Sequence, residues 1–195
     1  MGWCSDRCGE RMILVTVGTH EQPFDRLLRG AEHLAQQLDE RVVVQGGPSI
    51  VPTPTCERTA WMAPEQLAAT IEAARLVVLH GGPSTLSEVL DAGVLAVVVP
   101  RDPDRCEHVD AHQQRFAASL PPDIPVFIEV DRLVEWVVAG ELPPPPHRPR
   151  SAAATAAFAE GLESILSGIR RPAIGRHGGI RAMVRRISRR LPPGS

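Results

Sequence analysis

The stretch Val77–Glu88, VVLHGGPSTLSE, decides how this chain is read. An apolar run ends in His80, two glycines follow, and PSTLSEVLDAG then reads as a helix closed by Gly93. Strands that are apolar throughout belong to parallel sheets covered on both faces. In such sheets ligands bind beyond the carboxyl ends of the strands, and His80 stands at such an end. Gly81 and Gly82 let the backbone approach a ligand with no Cβ in the way. Pro83 suits the first turn of a helix. Ser84 and Thr85 fall near that helix's N-terminus, where free N–H groups and the positive end of the dipole attract an anion. Glu88, four residues beyond Ser84, shares its face and can accept hydrogen bonds from vicinal hydroxyls such as those of a ribose. The group suits a nucleoside diphosphate. It also fits a plainer reading, in which Ser84 or Thr85 caps the helix, Glu88 is a favourable first-turn charge and the glycines make a tight turn. The chain has neither GxxxxGK[ST] nor GxGxxG after a strand.

Working outward, the alternation continues. RMILVTVGTHEQPFDRLLRGAEHLAQQL reads as a strand over 12–17, a loop and an amphipathic helix from about 23 to 38. RVVVQGG is a second strand, APEQLAATIEAA a helix and RLVVLH the strand that ends in His80. VLAVVVP and VFIEV read as strands, VDAHQQRFAASL and DRLVEWVVAG as helices. This is an α/β fold, a Rossmann-like parallel sheet with helices on both faces. We expect a disordered extension over 1–11, or a true start at Met12, then a Rossmann-like binding domain over 12–142 and a polyproline linker over 143–150. An Ala-rich helix over 151–169 and a basic tail over 170–195 complete the reading.

The 195 residues are 43% hydrophobic, enough for one α/β core, but only 4% aromatic with no tyrosine, so that core is aliphatic. No run reaches the length of a membrane span and the N-terminus lacks a secretory signal. MGWCSD departs from a myristoylation signal at Asp6. Cys4, Cys8, Cys56 and Cys106 lack zinc-ligand spacing and read as free thiols of a cytoplasmic protein. The net charge of −2 hides an asymmetry: all 23 acidic residues lie at or before Glu163, whereas eight of the 21 basic residues, all arginines, lie from Arg170 onward. In IRAMVRRISRRL, Ile180, Met183, Val184, Ile187 and Leu191 form one helical stripe flanked by arginines. That is the pattern of an interfacial helix on an anionic membrane, with partner docking, a nucleic-acid arm or a solubilising tail as the other readings.

HGGPSTLSEVLDAGVLAVVVPR resembles the donor-binding signature of GT-B glycosyltransferases, and VTVGTHEQPFDRL with EHVDAHQQRFA narrows the resemblance to the family 28 C-terminal domain in its short, single-domain form. That form is the soluble catalytic subunit of a two-part N-acetylglucosaminyltransferase of lipid-linked oligosaccharide synthesis, and of related exopolysaccharide transferases. The resemblance covers about 12–140. It implies that His80, Gly81, Gly82, Ser84 and Thr85 face the diphosphate of a UDP-sugar and that Glu88 faces the ribose. It further implies that Trp61, in WMAPEQL, receives the uracil, with burial against the neighbouring helix as its other reading, that His112 and Gln113 meet the donor sugar's hydroxyls, and that Gly18 and Thr19 face the cleft between two GT-B halves. His112 stands where many relatives have an acidic residue. His20 is a lone loop histidine and a weak candidate base.

Transfer would be inverting, with a helix N-terminus and donors rather than a metal stabilising the leaving UDP; Asp102 and Asp104, in DPD, read as a solvated turn. The chain offers no clear general base for the acceptor, and its length is that of half a GT-B enzyme. A membrane-anchored acceptor subunit, a polyprenyl-diphosphate-linked acceptor and a position at the inner face of the plasma membrane are the expectations, with no nucleic acid as ligand. A non-catalytic nucleotide-sugar-binding module, or a nucleotide-sugar 2-epimerase, are the rival readings.

Overall fold

A computed structural model describes residues 11–140 and 142–145. Five strands, β1 (Met12–Thr16), β2 (Arg41–Gln45), β3 (Glu57–Thr59), β4 (Leu76–Leu79) and β5 (Leu95–Val98), form one sheet in the order β3-β2-β1-β4-β5. Every pairing is parallel. Five α-helices accompany them: α1 (Asp25–Gln37), α2 (Pro64–Ala73), α3 (Pro83–Asp91), α4 (His112–Ala118) and α5 (Val130–Ala139).

The apolar runs form the centre of the sheet because both of their faces are covered. All positions of β1, β4 and β5 are buried. On one face Ile13, Val15, Val42, Val44, Leu76, Val78, Leu95 and Val97 join Leu27, Leu28, Ala31 and Leu34 of α1 and Val130, Leu133, Val134 and Val137 of α5. The helical residues recur at three- and four-residue intervals, the spacing of one helix face. The intervening strand residues Leu14, Val43, Val77, Leu79, Ala96 and Val98 are buried on the opposite face, where Leu86, Val89 and Leu90 of α3 are also buried.

The chain runs outward from β1 through β2 to β3, then returns to place β4 on β1's other side. The order therefore reverses between β1 and β4, and the loops leaving these two strands diverge at the carboxyl edge of the sheet. His80 leaves β4 at this point and Gly18 follows β1. The sequence thus puts its His-Gly-Gly turn at the one crevice the topology opens.

Two expectations are corrected. VFIEV is not a strand: Val126 makes a single bridge to Val98, and the chain turns away so that α5 begins at Val130. α4 begins at His112 rather than Val109, because the Asp110 carboxylate accepts the His112 N–H at 2.8 Å and holds the preceding residues in a turn. DPD opens a 3-10 helix, Pro103–Arg105, with the Asp102 side chain accepting from the Asp104 N–H. β3, for its part, is a short edge strand of polar residues that no hydrophobic pattern announces. The extension 1–10, residue 141 and everything from 146 onward, including most of the linker, the Ala-rich helix and the arginine tail, lie outside the described residues. Among those described, no helix is long and apolar enough to cross a membrane.

α5 closes the α1 face of the sheet, so truncating its most buried residue tests this arrangement. Leu133→Ala, at 1% exposure, is expected to destabilise the domain by about 2–5 kcal/mol in denaturant unfolding. Arg132→Ala next to it removes only an exposed pair with Glu135 and should change stability by less than about 0.5 kcal/mol.

Candidate functional site

The site is built around the His80 ring. Its imidazole fills the space that Cβ atoms at Gly18 and Gly82 would need: they would lie 2.2 Å from His80 Cε1 and 2.3 Å from His80 Nε2 respectively. Gly18 also has φ +70°, which L side chains rarely adopt. Both glycines therefore make room for the histidine. Gly81 plays a similar part against α4, where its Cβ would meet Gln113 Cβ at 2.9 Å. The turn is closed by the Gly82 N–H donating to the His80 carbonyl at 2.7 Å.

His80 is 8% exposed and its Nδ1 has no hydrogen-bond partner among the described residues. Burial, reinforced by the nearby Arg101 charge, pushes its pKa down to about 4. At neutral pH it is an uncharged imidazole, so it can offer an anion a hydrogen bond but no net charge.

Positive potential comes from two other sources. α3 starts at Pro83 with Gly82 as its N-cap, and no side chain caps it. The capping role open to Ser84 and Thr85 on sequence grounds is thus unused. The first-turn N–H groups are left for an outside acceptor, at the positive end of the helix dipole. Ser84 and Glu88 are both exposed on this helix, Thr85 partly so. The second source is Arg101, which is fully buried. Its Nη2 donates to the Val17 carbonyl at 2.8 Å, and its Nη1 donates to the carbonyls of Gln22 and Glu107 at 2.8 and 3.0 Å. Desolvation lowers its pKa to about 10, so it stays charged at neutral pH. Its neighbour Glu107 is held by Arg26 through two bonds of 2.7 and 3.0 Å. Two guanidinium groups against one carboxylate leave net positive charge behind the β1 and β5 loops.

Gln113 is 4% exposed and its Oε1 accepts the Arg101 backbone N–H at 3.2 Å, which ties α4 to the end of β5. His112 remains 42% exposed at the head of α4, with its Nδ1 2.6 Å from Asp110 Oδ1. The rings of His20 and His108 lie with centroids 4.1 Å apart and planes tilted by 45°, and His108 meets His112 edge-on at 4.4 Å. Burial, followed by neighbouring positive groups, lowers the pKa values of both His20 and His108. Thr19 is exposed beside Gly18. Trp61 is half exposed, and its Cη2 lies 3.6 Å from where a Cβ on Gly47 would stand. It is therefore not buried against the neighbouring helix, and it joins the same edge of the sheet.

Sequence reasoning overlooked Arg101, Glu107 and Arg26, as well as the cluster of His108 and Asp110 with His112. The first three carry no local signal, since their partners lie up to 84 residues away. The HxDxH spacing of the last was present in EHVDAHQ. Among the described residues, His108, Asp110 and His112 bring three metal-ligating atoms within 4.8 Å of one another.

The contact between His80 and Gly82 makes a measurable coupling. Gly82→Ala is expected to destabilise the domain by about 1–3 kcal/mol through the collision with the imidazole. In a His80→Ala background the same change should cost far less. Thermal unfolding of the four proteins of this double-mutant cycle tests the contact, and additive losses would show that the ring does not depend on that glycine.

The family model for the glycosyltransferase family 28 C-terminal domain matches residues 12–160. Comparison with curated proteins gives no match. Among solved structures, the glycotransferase of kitacinnamycin is 24% identical with a TM-score of 0.49, over 98% of this chain and 46% of that one. The calicheamicin glycosyltransferase CalG4 is 18% identical with a TM-score of 0.49, over 98% of this chain and 45% of that one. SsfS6 from Streptomyces sp. SF2575, solved with thymidine diphosphate, is 20% identical with a TM-score of 0.43, over 96% and 44%. The chain thus spans about half the length of these proteins. The match extends over most of the chain, and this chain belongs to the glycosyltransferase family 28 C-terminal domain family.

Proposed function

We propose that this domain is the donor-binding part of an inverting glycosyltransferase that uses a UDP-sugar. The observation that carries the reading is the uncapped N-terminus of α3 beside the neutral His80, at the point where the strand order reverses. A diphosphate needs N–H donors and positive potential, and this edge supplies both. His80, Ser84, Thr85 and the first amides of α3 would take the diphosphate, Glu88 the ribose, Trp61 the base, and His112 the sugar hydroxyls. Gln113 would act through its bond to Arg101 as much as by touching the sugar.

As the anomeric bond breaks, charge grows on the departing diphosphate. Fixed N–H groups and the dipole stabilise it without reorganising, so this step calls for no metal. The sugar is N-acetylglucosamine, glucose or a related hexose on this reading, and the acceptor a polyprenyl-diphosphate-linked saccharide.

The acceptor and its general base belong to a second, membrane-anchored body facing this edge. The exposed apolar side chains support that arrangement. Ile50, Trp61, Val109 and Ile128 are between 49% and 87% exposed, and all lie on loops at or beyond the carboxyl ends of the strands. Apolar surface gathered beside a polar site is what a covering partner buries. The arginine-rich segment 170–195 would bring the assembly to the anionic inner face of the plasma membrane.

Two measurements test the reading. Glu88→Ala should weaken UDP binding in calorimetry by about 1.5–3 kcal/mol, the worth of a charge-assisted hydrogen bond, with no loss of thermal stability. Unchanged UDP affinity would remove Glu88 from the site. In the second, radiolabelled sugar transfer to a lipid-linked acceptor on anionic vesicles should require an acceptor-binding partner, survive EDTA, and fall at low salt when 170–195 is deleted. Transfer by the isolated domain would refute the partner, and UDP binding without transfer under any partner would favour a regulatory module.

A further inference from the structure

His108, Asp110 and His112 shape the turn before α4, where the Asp110 N–H donates to His108 Nδ1 at 3.3 Å and the His112 N–H donates to Asp110 Oδ1 at 2.8 Å. An ion bound through His108 Nδ1 would displace the first of these bonds, and neither bond accounts for the convergence of all three side chains. They project from the turn between Pro103–Arg105 and α4, spaced two residues apart. One nitrogen of each imidazole and one carboxylate oxygen lie within 4.8 Å of one another. His108 Nδ1 and His112 Nδ1 are 3.7 and 2.6 Å from the same oxygen, Asp110 Oδ1. A tetrahedral ion with ligand bonds of about 2.0–2.1 Å sets its ligand atoms roughly 3.3 Å apart, so one contact must open slightly and the other close slightly. Side-chain torsions on an exposed turn allow this. Asp110 and His112 are 55% and 42% exposed, leaving an entry path, whereas His108 is only 5% exposed and gives the cluster a fixed wall.

The donor set selects the ion. Two imidazoles and a single carboxylate are too nitrogen-rich for magnesium or calcium, which prefer oxygen cages, and suit zinc and its first-row neighbours. His20 lies against His108 with its ring tilted by 45°, and it is not one of the three residues whose ligand atoms converge.

We propose that His108, Asp110 and His112 form a binding site for a divalent transition metal of the zinc class, with at least one coordination position left to water. The site is separate from the handling of the leaving group, which rests on α3. An ion there would fasten the turn around Val109 to the head of α4, whose next residue, Gln113, packs on Gly81. If His112 faces the donor sugar as proposed above, metal and sugar compete for that one side chain. The metal site itself does not depend on this reading.

The test titrates the full chain with zinc chloride in chelator-free buffer by calorimetry, alongside long-range 1H–15N spectra of the histidine rings. One zinc per chain is expected at this cluster, with ring-nitrogen shifts of His108 and His112 moving and those of His33 unmoved. Asp110→Asn and His112→Ala, both exposed positions, should each weaken binding about tenfold or more while His33→Ala and Cys106→Ser do not. Cobalt should give the visible absorption of a nitrogen- and oxygen-bound tetrahedral or five-coordinate ion. Failure to bind zinc at micromolar concentration, or binding that neither Asp110→Asn nor His112→Ala weakens, would overturn the proposal.

Discussion

The architecture of the site depends on one buried cation. Arg101 follows the last strand of the sheet and has no solvent exposure, yet no carboxylate side chain bonds to its guanidinium among the described residues. Its two terminal nitrogens donate to backbone carbonyls, those of Val17, Gln22 and Pro23 after β1 and that of Glu107 after β5, while its Nε is buried with no partner among the described residues. The Phe24 ring adds a face 4.8 Å from the guanidinium carbon. Burying a charge is costly unless hydrogen bonds replace its water, and loop carbonyls left unmet would be costly too. Each defect corrects the other. The result is that the loops leaving β1 and β5, at opposite ends of three adjacent strands, behave as one piece.

That piece determines the chemical state of the residues it surrounds. Arg101 and the desolvation of the crevice together keep His80 neutral, and they push His20 and His108 in the same direction. A crevice lined by several imidazoles would repel itself if they were charged, and burial would penalise each charge further. Pushed toward the uncharged form, His20 and His108 lie with ring centroids 4.1 Å apart and planes tilted by 45°. The positive potential is carried instead by groups that cannot titrate near neutrality, namely the guanidinium and the amides of α3. Such a field is fixed before a ligand arrives, which is the condition for electrostatic stabilisation of a leaving group without reorganisation.

How much of this was legible in the sequence follows from the range of each interaction. The apolar runs of β1, β2, β4 and β5 announced themselves because burial on both faces leaves no alternative composition. β3 did not, because an edge strand of Glu57, Arg58 and Thr59 owes its place to pairing with β2 alone. VFIEV had the composition of a strand, but a single bridge to Val98 precedes the start of α5. The His-Gly-Gly turn was located correctly and its glycines only half understood. Their lack of Cβ atoms was attributed to a ligand, whereas Gly82 and Gly18 accommodate the His80 ring and Gly81 accommodates Gln113. A contact between residues 18 and 80 leaves no trace in local spacing. Arg101 is the extreme case: at the end of an apolar run an arginine reads as the first solvated residue, and only the fold reveals that it points inward.

The division between a rigid polar floor and an apolar rim bears on how such a domain works. The floor's partners are internal: Arg101 with the β1 loop, Glu107 with Arg26, Gln113 with the Arg101 backbone. Ile50, Trp61, Val109 and Ile128 have no such obligations and stand in solvent at the same edge. A surface that kept its apolar groups here by neglect would scatter them over all faces, yet of the five large apolar side chains exposed among the described residues only Val138, on α5, lies away from this edge. On the proposed reading, covering that rim does two things at once. It removes apolar area from water, which drives association in proportion to the area buried. It also expels water from the crevice, which strengthens the attraction between the fixed dipoles and a diphosphate, because the same charges act through a lower dielectric. Association and donor binding are then coupled through a shared boundary, with no conformational change required of the domain itself.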